Sequence, residues 1–358
     1  MIRRLRFTAA LSRPLAASLL LVFTFADRAQ AGIVPITVNV PELFDSVQVV
    51  VLADVIRTSM ISTEQLPGPK GAFATVERVE LSVVRCYKPL NACGASVAYT
   101  RRATVVDPQP ALHTGEEVIA FLQGPEPLLT QPNHWSVWQV DWMKNTRGQT
   151  AGLEGKELLQ ADIATGLQSA DPQAVGAALR YLQGFQPLTA VILATVRGLA
   201  ESQSAPMAER LEALATLLER PKPEYVAWVR RLGEAEPDAV MQHVHEAFDV
   251  RAALTSVQDP RSLPDLVAIA EGPVEMWHYG ALHALRNLHS PQSVPALVKA
   301  LDDPDRMTEY AALITLAEIT HKGGNYGPGL GLFDPDPEKY IDLWKQWWET
   351  EGRSEYEQ

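Results

Sequence analysis

Histidines are the side chains of this 358-residue chain whose spacing comes nearest to metal or acid–base chemistry. His243 and His245 are two residues apart, so on a helix they point to different faces and do not share a metal ion. His278, His283 and His289 lie on or near one predicted helix at spacings of five and six, which also separates them. We therefore expect packed or solvated histidines and no metal site.

Carboxylates and glycines near the C-terminus form the next candidate. Asp334, Asp336 and Glu338 alternate as calcium ligands can, but the run lacks the central glycine and bidentate glutamate of an EF-hand loop. The glycine-rich stretch 323–331 lacks the order of a dinucleotide or phosphate cradle. We interpret both as loop and helix-capping residues. Since zinc-protease, serine-hydrolase and phosphate-loop motifs are also missing from the sequence, we predict no catalytic residues and no cofactor.

The two cysteines of the chain, Cys86 and Cys93, are expected to form a disulfide bond in an oxidising compartment. The alternative is a pair of free thiols. A metal site would need further ligands near them in the sequence, and none are found there.

The N-terminus predicts export. Arginines from Arg3 to Arg13, an apolar run from Leu15 to Ala26 and the small-x-small sequence at 29–31 have the order of a secretory signal peptide. The run is shorter than the roughly 20 residues that span a bilayer. We expect residues 1–31 to be removed and the protein to be periplasmic or extracellular, with no later membrane segment. An uncleaved anchor is the alternative.

The net charge argues against nucleic acid as a partner. The formal charge is −12, and removal of residues 1–31, which hold five arginines and one aspartate, would make it −16. Phosphates repel an acidic surface.

Residues 32–155 have the period-two alternation of half-buried strands. In the stretch 73–87, Val79, Leu81 and Val83 alternate with Glu80 and Ser82. Prolines fill the breaks between such stretches. Strands are predicted at 46–59, 73–87, 95–101, 117–123 and 135–142. Five strands in about 110 residues fit a small barrel.

From residue 156 onward the sequence predicts helices, because leucine and alanine recur at spacings of three and four. Asp171, Asp303 and Asp336 each precede a proline and are expected to cap a helix N-terminus. Helices are predicted at 156–168, 172–184, 187–201, 206–219, 222–233, 237–248, 250–257, 262–271, 275–288, 292–302, 305–321 and 337–350.

A repeat of 31 residues runs through this helical part. The stretch 262–267 matches 293–298, and the helix 275–288 matches 306–319, so that Ala281, Leu282 and Leu285 fall on Ala312, Leu313 and Leu316. Two helices per unit at a fixed period are typical of an α-solenoid, whose units bury their apolar stripes against each other. These residues resemble the short HEAT repeats of bacterial, phycobilisome-lyase-like proteins. The resemblance implies a fold and carries no activity.

The β domain has a resemblance of its own. Ala53-Asp54-Val55 in a valine-rich strand, followed later by the run from Gly115 to Leu122, looks like the OB barrel of netrin and tissue-inhibitor-of-metalloproteinase domains. Those inhibitors begin with a cysteine that reaches the protease metal. The resemblance implies an α+β protein with an OB-like barrel. This chain has no cysteine before Cys86, a departure from the inhibitors that argues against protease inhibition, which is kept only as an alternative.

Aromatic residues are the candidate binding residues. Tyr340, Trp344, Trp347 and Trp348 share one face of the last predicted helix, which we interpret as a cap on the final repeat; an aromatic binding patch is the alternative.

We predict a non-catalytic scaffold or adaptor that binds a protein partner through its inner helices. The candidate partner-binding residues are Trp277, Tyr279 and Tyr310, with core packing as the alternative for the two tyrosines. A protease-inhibitor-like or hydrolase-associated envelope protein is the second hypothesis. A structural envelope component is the third.

Overall fold

The computed structural model describes residues 40–65, 73–89, 93–104, 111–123, 128–130, 137–146 and 152–357. These form two compact units, 46–139 and 40–45 with 140–357. The predicted signal peptide lies outside the described residues. The division falls at 139/140 and not at the predicted 155/156, since Trp142 already stacks on Tyr181 of the helical unit with ring centroids 6.0 Å apart.

The first unit is a sheet of six described strands that is antiparallel except at one pairing. β1 pairs with β2 on one side and with β4 on the other; β2 also pairs with β3, β3 runs parallel to β5, and β4 also pairs with β5 and β6. The strands are β1 (Val49–Gln65), β2 (Phe73–Lys88), β3 (Ser96–Thr104), β4 (Glu117–Gln123), β5 (Leu128–Thr130) and β6 (Val137–Gln139).

The strand predictions hold for most of the sheet and fail at its end. The predicted strand 135–142 stops at Gln139, because the chain turns there and the Met143 N–H donates to the Val140 carbonyl (2.8 Å). β5 was not predicted. Alternating residues of β1, β2 and β4, among them Val51, Leu81 and Val118, form the apolar core.

The predicted disulfide is confirmed. Cys86 of β2 is bonded to Cys93, which lies just before β3. The bond therefore closes the connection between two paired strands of the sheet.

The hairpin of β1 and β2 extends past the segment of β1 that pairs with β4, which ends at Asp54. Four large apolar side chains are exposed on this extension: Ile56, Met60, Ile61 and Phe73. Ion pairs accompany them, including Arg57 with Glu80 and Arg102 with Glu64, each at 2.7 Å.

The second unit is helical, which confirms the predicted class of the C-terminal region. Its labelled helices are α1 (Val40–Ser46), α2 (Met143–Thr146), α3 (Gly155–Ala164), α4 (Pro172–Gln183), α5 (Ala190–Glu201), α6 (Met207–Leu218), α7 (Pro223–Ala235), α8 (Pro237–Met241), α9 (Val244–Leu254), α10 (Leu263–Ala270), α11 (Glu275–Leu288), α12 (Val294–Lys299), α13 (Arg306–Ile319), α14 (Leu330–Phe333), α15 (Pro337–Trp347) and α16 (Arg353–Tyr356).

Helix ends follow local capping chemistry, with two corrections to the sequence prediction. Asp171 accepts a hydrogen bond from the Gln173 N–H (3.0 Å), as expected of the cap of α4. Asp303 does not cap α13; Asp305 does, accepting from the Thr308 N–H (3.0 Å). Asp336 makes no capping hydrogen bond from its side chain.

The helices predicted at 237–248 and 250–257 are also corrected. The helical chain breaks at 242–243 and continues as one helix through 244–254. His243, the residue before α9, has non-helical backbone angles (φ −112°, ψ 60°).

The second helices of the predicted units pack side by side. α4 contacts α6, α6 contacts α9, α9 contacts α11, and α11 contacts α13. The repeat-related residues Leu282, Leu285, Leu313 and Leu316 are all fully buried in this row. Burial of the repeated positions is the physical reason for their recurrence.

The aromatic face of α15 is buried. Trp344 is enclosed and its indole N–H donates to the Tyr326 carbonyl (2.8 Å), while Trp347 packs edge-on against it with ring centroids 5.1 Å apart. Tyr340 and Trp348 are also buried. These rings therefore serve as core of the C-terminal end of the row and form no exposed patch.

Within the part of the chain that the structure describes, no helix has the length and apolar character needed to cross a membrane.

Candidate functional site

The structure separates the three candidate partner-binding residues. Trp277 is only 1% exposed, and its indole N–H donates to the Ala247 carbonyl of α9 (3.0 Å). It therefore belongs to the core, and its assignment to a binding surface is corrected. The Tyr310 hydroxyl donates to the Pro328 carbonyl (3.2 Å) and its ring lies 5.2 Å from that of Phe333, so it holds the C-terminal segment. Tyr279 alone lies at an open groove.

This groove, called here the α9–α11 groove, has a volume of about 330 Å³. It lies at the surface of α9 and α11, with the start of α13 at one edge. Its lining residues are Phe248, Arg251, Ala252, Thr255, Tyr279 and Met307. The walls are thus two aromatic rings, a thioether and an aliphatic surface, with one guanidinium and two hydroxyl groups, those of Thr255 and Tyr279, among them.

A glycine allows the two helices to approach closely enough to form the groove. A Cβ atom at Gly280 of α11 would lie 2.2 Å from the backbone oxygen of Arg251 on α9. Only glycine fits at so close a backbone approach. Two turns further along α11, the Asn287 side-chain amide donates to the Thr255 carbonyl (2.8 Å) and ties the end of α9 to α11.

The guanidinium of Arg251 lies over two aromatic rings. Its central carbon is 4.3 Å from the ring centroid of Tyr279 and 5.5 Å from that of Phe248, both within the range of cation–π attraction. No carboxylate of the described residues forms an ion pair with Arg251. A guanidinium stacked by its faces keeps its edge donors available for a planar anion.

Two further basic side chains, His283 and Arg286, lie near Tyr279. The ring of His283 lies 4.6 Å from that of Tyr279, and burial, together with the charges of Arg286 and Arg251, lowers the pKa of His283. Arg286 is neutralised by Glu318, to which its Nε donates (2.6 Å). The electrostatic potential at the groove is therefore set mainly by Arg251.

An exposed apolar stripe leads into the groove. Val244 and Phe248 are four residues apart on α9 and share one of its faces, and Met307 of α13 lines the groove together with Phe248. Met241, the last residue of α8, is a further exposed apolar side chain. These four side chains are between 39% and 52% exposed. Exposed apolar side chains that are contiguous mark interaction surfaces more often than isolated ones.

Sequence reasoning missed Phe248, Arg251 and Met307 as functional candidates. The signal was present for Phe248, because Phe248, Tyr279 and Tyr310 stand 31 residues apart and are equivalent positions of the repeat. In the structure, these three aromatic rings differ in which side chains of the protein cover them. Nothing in the sequence indicated that Arg251 would lack an ion-pair partner, since this depends on which carboxylates the fold brings near it.

The opposite face of α9 contributes to a buried charge cluster. Glu212 of α6 is 2% exposed, accepts a hydrogen bond from Arg180 of α4, and lies near Asp249 of α9. Burial outweighs the attraction of Arg180 and raises the pKa of Glu212 to about 8. Burial also raises the pKa of Asp249 to about 6. α9 thus carries the unpaired Arg251 on one face and, on another, Asp249, whose pKa is raised by burial.

The histidines have structural partners. Both ring nitrogens of His278 lie near oxygen atoms, Nδ1 at 2.6 Å from Asp303 Oδ2 and Nε2 at 2.9 Å from the Gly272 carbonyl. Nδ1 of His243 lies 3.0 Å from the Ala239 carbonyl. The described residues contain no group of three or more histidines, cysteines or carboxylates placed to hold a metal ion.

No protein-family model matches this chain, and no curated protein matches it at a significant level.

Proposed function

We propose that the protein is a non-catalytic scaffold or adaptor that binds a protein partner through the α9–α11 groove and the apolar stripe beside it. One observation carries the proposal: a groove of about 330 Å³ with exposed Phe248 and Met307 at its walls surrounds an arginine that is unpaired among the described residues. Aromatic, methionine and arginine side chains are the types enriched at protein interfaces.

Two inferences about the fold accompany this proposed function. We infer that the helical unit is a HEAT-type α-solenoid, supported by the 31-residue repeat and by the side-by-side row of α4, α6, α9, α11 and α13. We also infer that the sheet is an OB-like barrel. The cycle of strand pairings β1, β2, β3, β5, β4 and back to β1, with β3 and β5 parallel, supports it.

We further propose that the protein is exported and acts in the periplasm or outside the cell. The Cys86–Cys93 disulfide supports this location, because such bonds persist mainly in oxidising compartments. The signal-peptide pattern of residues 1–31 agrees with it.

Site-specific photo-cross-linking in the producing cells tests the proposed surface. A photoreactive phenylalanine analogue is placed at Val244, beside the groove, and in a second strain at Val191 of α5, which is 76% exposed and serves as the matched control. We expect a discrete adduct at Val244 that the control position does not give. The substitution Phe248→Ser should abolish this adduct without unfolding the protein, because Phe248 is exposed.

Identical adducts from Val244 and Val191, or adducts that persist in Phe248→Ser, would contradict the assignment of binding to this surface.

A further inference from the structure

The charge and shape of the α9–α11 groove specify the chemistry of its occupant. We propose that the groove binds a peptide segment of a partner protein in which a carboxylate stands next to a large apolar side chain, with Arg251 receiving the carboxylate. The inference rests on the proposed function and names the class of ligand that the same site would take.

Arg251 is held by aromatic contacts and forms no ion pair among the described residues. Its guanidinium lies over the rings of Phe248 and Tyr279, and these two contacts restrict the side chain and lower the entropy cost of binding. Since the described residues supply no carboxylate to it, its edge donors are available for one from outside the chain. Arginine donors match a carboxylate in a two-bond geometry that is strong and specific.

The other basic side chains near Arg251 either form ion pairs with carboxylates or are neutral. Arg286 is bonded to Glu318, and Arg306 to Glu309 (2.9 Å). The lowered pKa of His283 favours its neutral form. An incoming carboxylate therefore meets one dominant cation, which places it at Arg251 and not along a diffuse basic surface.

A later repeat provides an internal example, at the aromatic residue equivalent to Phe248 and Tyr279. Tyr310 stands 62 residues after Phe248 and 31 after Tyr279, and the chain covers it with its own segment. The ring of Phe333, a fully buried residue, lies 5.2 Å from that of Tyr310, and Asp334 follows Phe333 directly. The protein itself thus covers one aromatic of the row with an apolar side chain that precedes a carboxylate. The aromatics at the groove have no such internal cover among the described residues.

The carboxylate has two sources in a peptide, an acidic side chain and a free C-terminus. Both present the same planar anion to Arg251, so the test includes both. The first pair of probes is fluorescein-labelled Gly-Leu-Phe-Asp-Gly-amide and its Asp→Asn variant. The second pair is labelled Gly-Gly-Leu-Phe with a free carboxylate and with an amide end.

Fluorescence polarisation with the full chain, measured for each probe, tests the inference. We expect at least one carboxylate probe to bind roughly tenfold or more tightly than its neutral partner. Arg251→Met should remove this difference, and Arg251→Lys should retain part of it, since lysine keeps the charge without the planar fork. Phe248→Ala should weaken both the carboxylate and the neutral probes, and the carboxylate probe at least as much, because Phe248 also contacts the Arg251 guanidinium. Thermal unfolding of each variant checks that the fold is intact.

The results distinguish failure of the carboxylate inference from failure of the proposed binding site. Carboxylate and neutral probes that bind equally, and that both lose affinity in Phe248→Ala, would overturn the carboxylate inference while the groove stays a binding site. Carboxylate discrimination that survives Arg251→Met would also overturn it. Failure of every probe at millimolar concentration would overturn the ligand class. The cross-linking at Val244 then decides independently whether a partner uses this surface.

Discussion

Large apolar side chains are exposed both on the β1–β2 hairpin and at the α9–α11 groove, but the two surfaces differ in their charges. On the sheet, Arg57 of the hairpin and Arg102 of the neighbouring β3 are each paired with a glutamate of the same unit. At the groove, Arg251 lies over two aromatic rings and forms no ion pair with a carboxylate of the described residues. A surface whose charges are neutralised internally offers a charged ligand little to bind, whereas an unpaired arginine beside aromatic rings offers it a partner.

The two units also differ in how they hold titratable groups. The exposed hairpin uses Arg57 to lower the pKa of Glu80. The helical unit buries Glu212, which raises its pKa. The difference follows from solvation: a carboxylate in water is stabilised by a nearby cation, whereas a buried one is destabilised by the loss of water.

The largest expected effect is on the core beneath the groove. Trp277→Ala removes a buried indole and its hydrogen bond to Ala247, and should cost about 3–5 kcal/mol of unfolding free energy in the helical unit. Phe73→Ala on the hairpin, where the ring is half exposed, is the matched control and should cost far less. Hydrogen exchange read by mass spectrometry measures each unit separately. Equal losses for the two variants would contradict the burial of Trp277.

The next effect concerns the sheet alone. Replacing Cys86 and Cys93 with serine opens a loop of about 8 residues, which should destabilise the sheet by about 2.5 kcal/mol through the entropy of the unfolded chain. Urea unfolding followed by hydrogen exchange should show this loss in residues 46–139 and none in the helical unit. A loss shared by both units would show that they unfold as one.

Per pH unit, the smallest effects are in pH dependence, and here the two units should differ in sign. Because the pKa of Glu212 is about 8 in the folded state and near 4.5 when unfolded, the folded state holds an extra proton between these values, and stability falls as pH rises through this window. Glu212→Gln should remove a slope of up to about 1.4 kcal/mol per pH unit.

Glu80 should give the opposite sign. Its folded pKa lies below 4.5, so its contribution is present above that pH and is lost as pH falls through the folded pKa. Glu80→Gln should therefore matter only above about pH 4. Denaturant unfolding of both variants between pH 3 and pH 9 measures the two slopes; slopes of the same sign would contradict the contrast between the units.

Local pattern in the sequence was enough to predict much of the architecture. The alternation around Val79 and Leu81 predicted β2 to within a residue of its end, because successive strand residues face opposite sides wherever the strand lies. The 31-residue repeat predicted which leucines are buried, since each repeat must cover the apolar stripe of its neighbour. The spacing of Cys86 and Cys93 predicted the disulfide.

Only the tertiary structure decided which aromatic and charged residues form the candidate site. Trp277 and Tyr279 are two positions apart, yet one lies in the core and the other at the groove, because residues so spaced point to different sides of α11. The role of Arg251 depends on the close approach at Gly280, and the raised pKa of Glu212 depends on burial between α4, α6 and α9. Helix propensity and periodicity are local quantities, whereas the partners of a charge are set by residues distant in the chain.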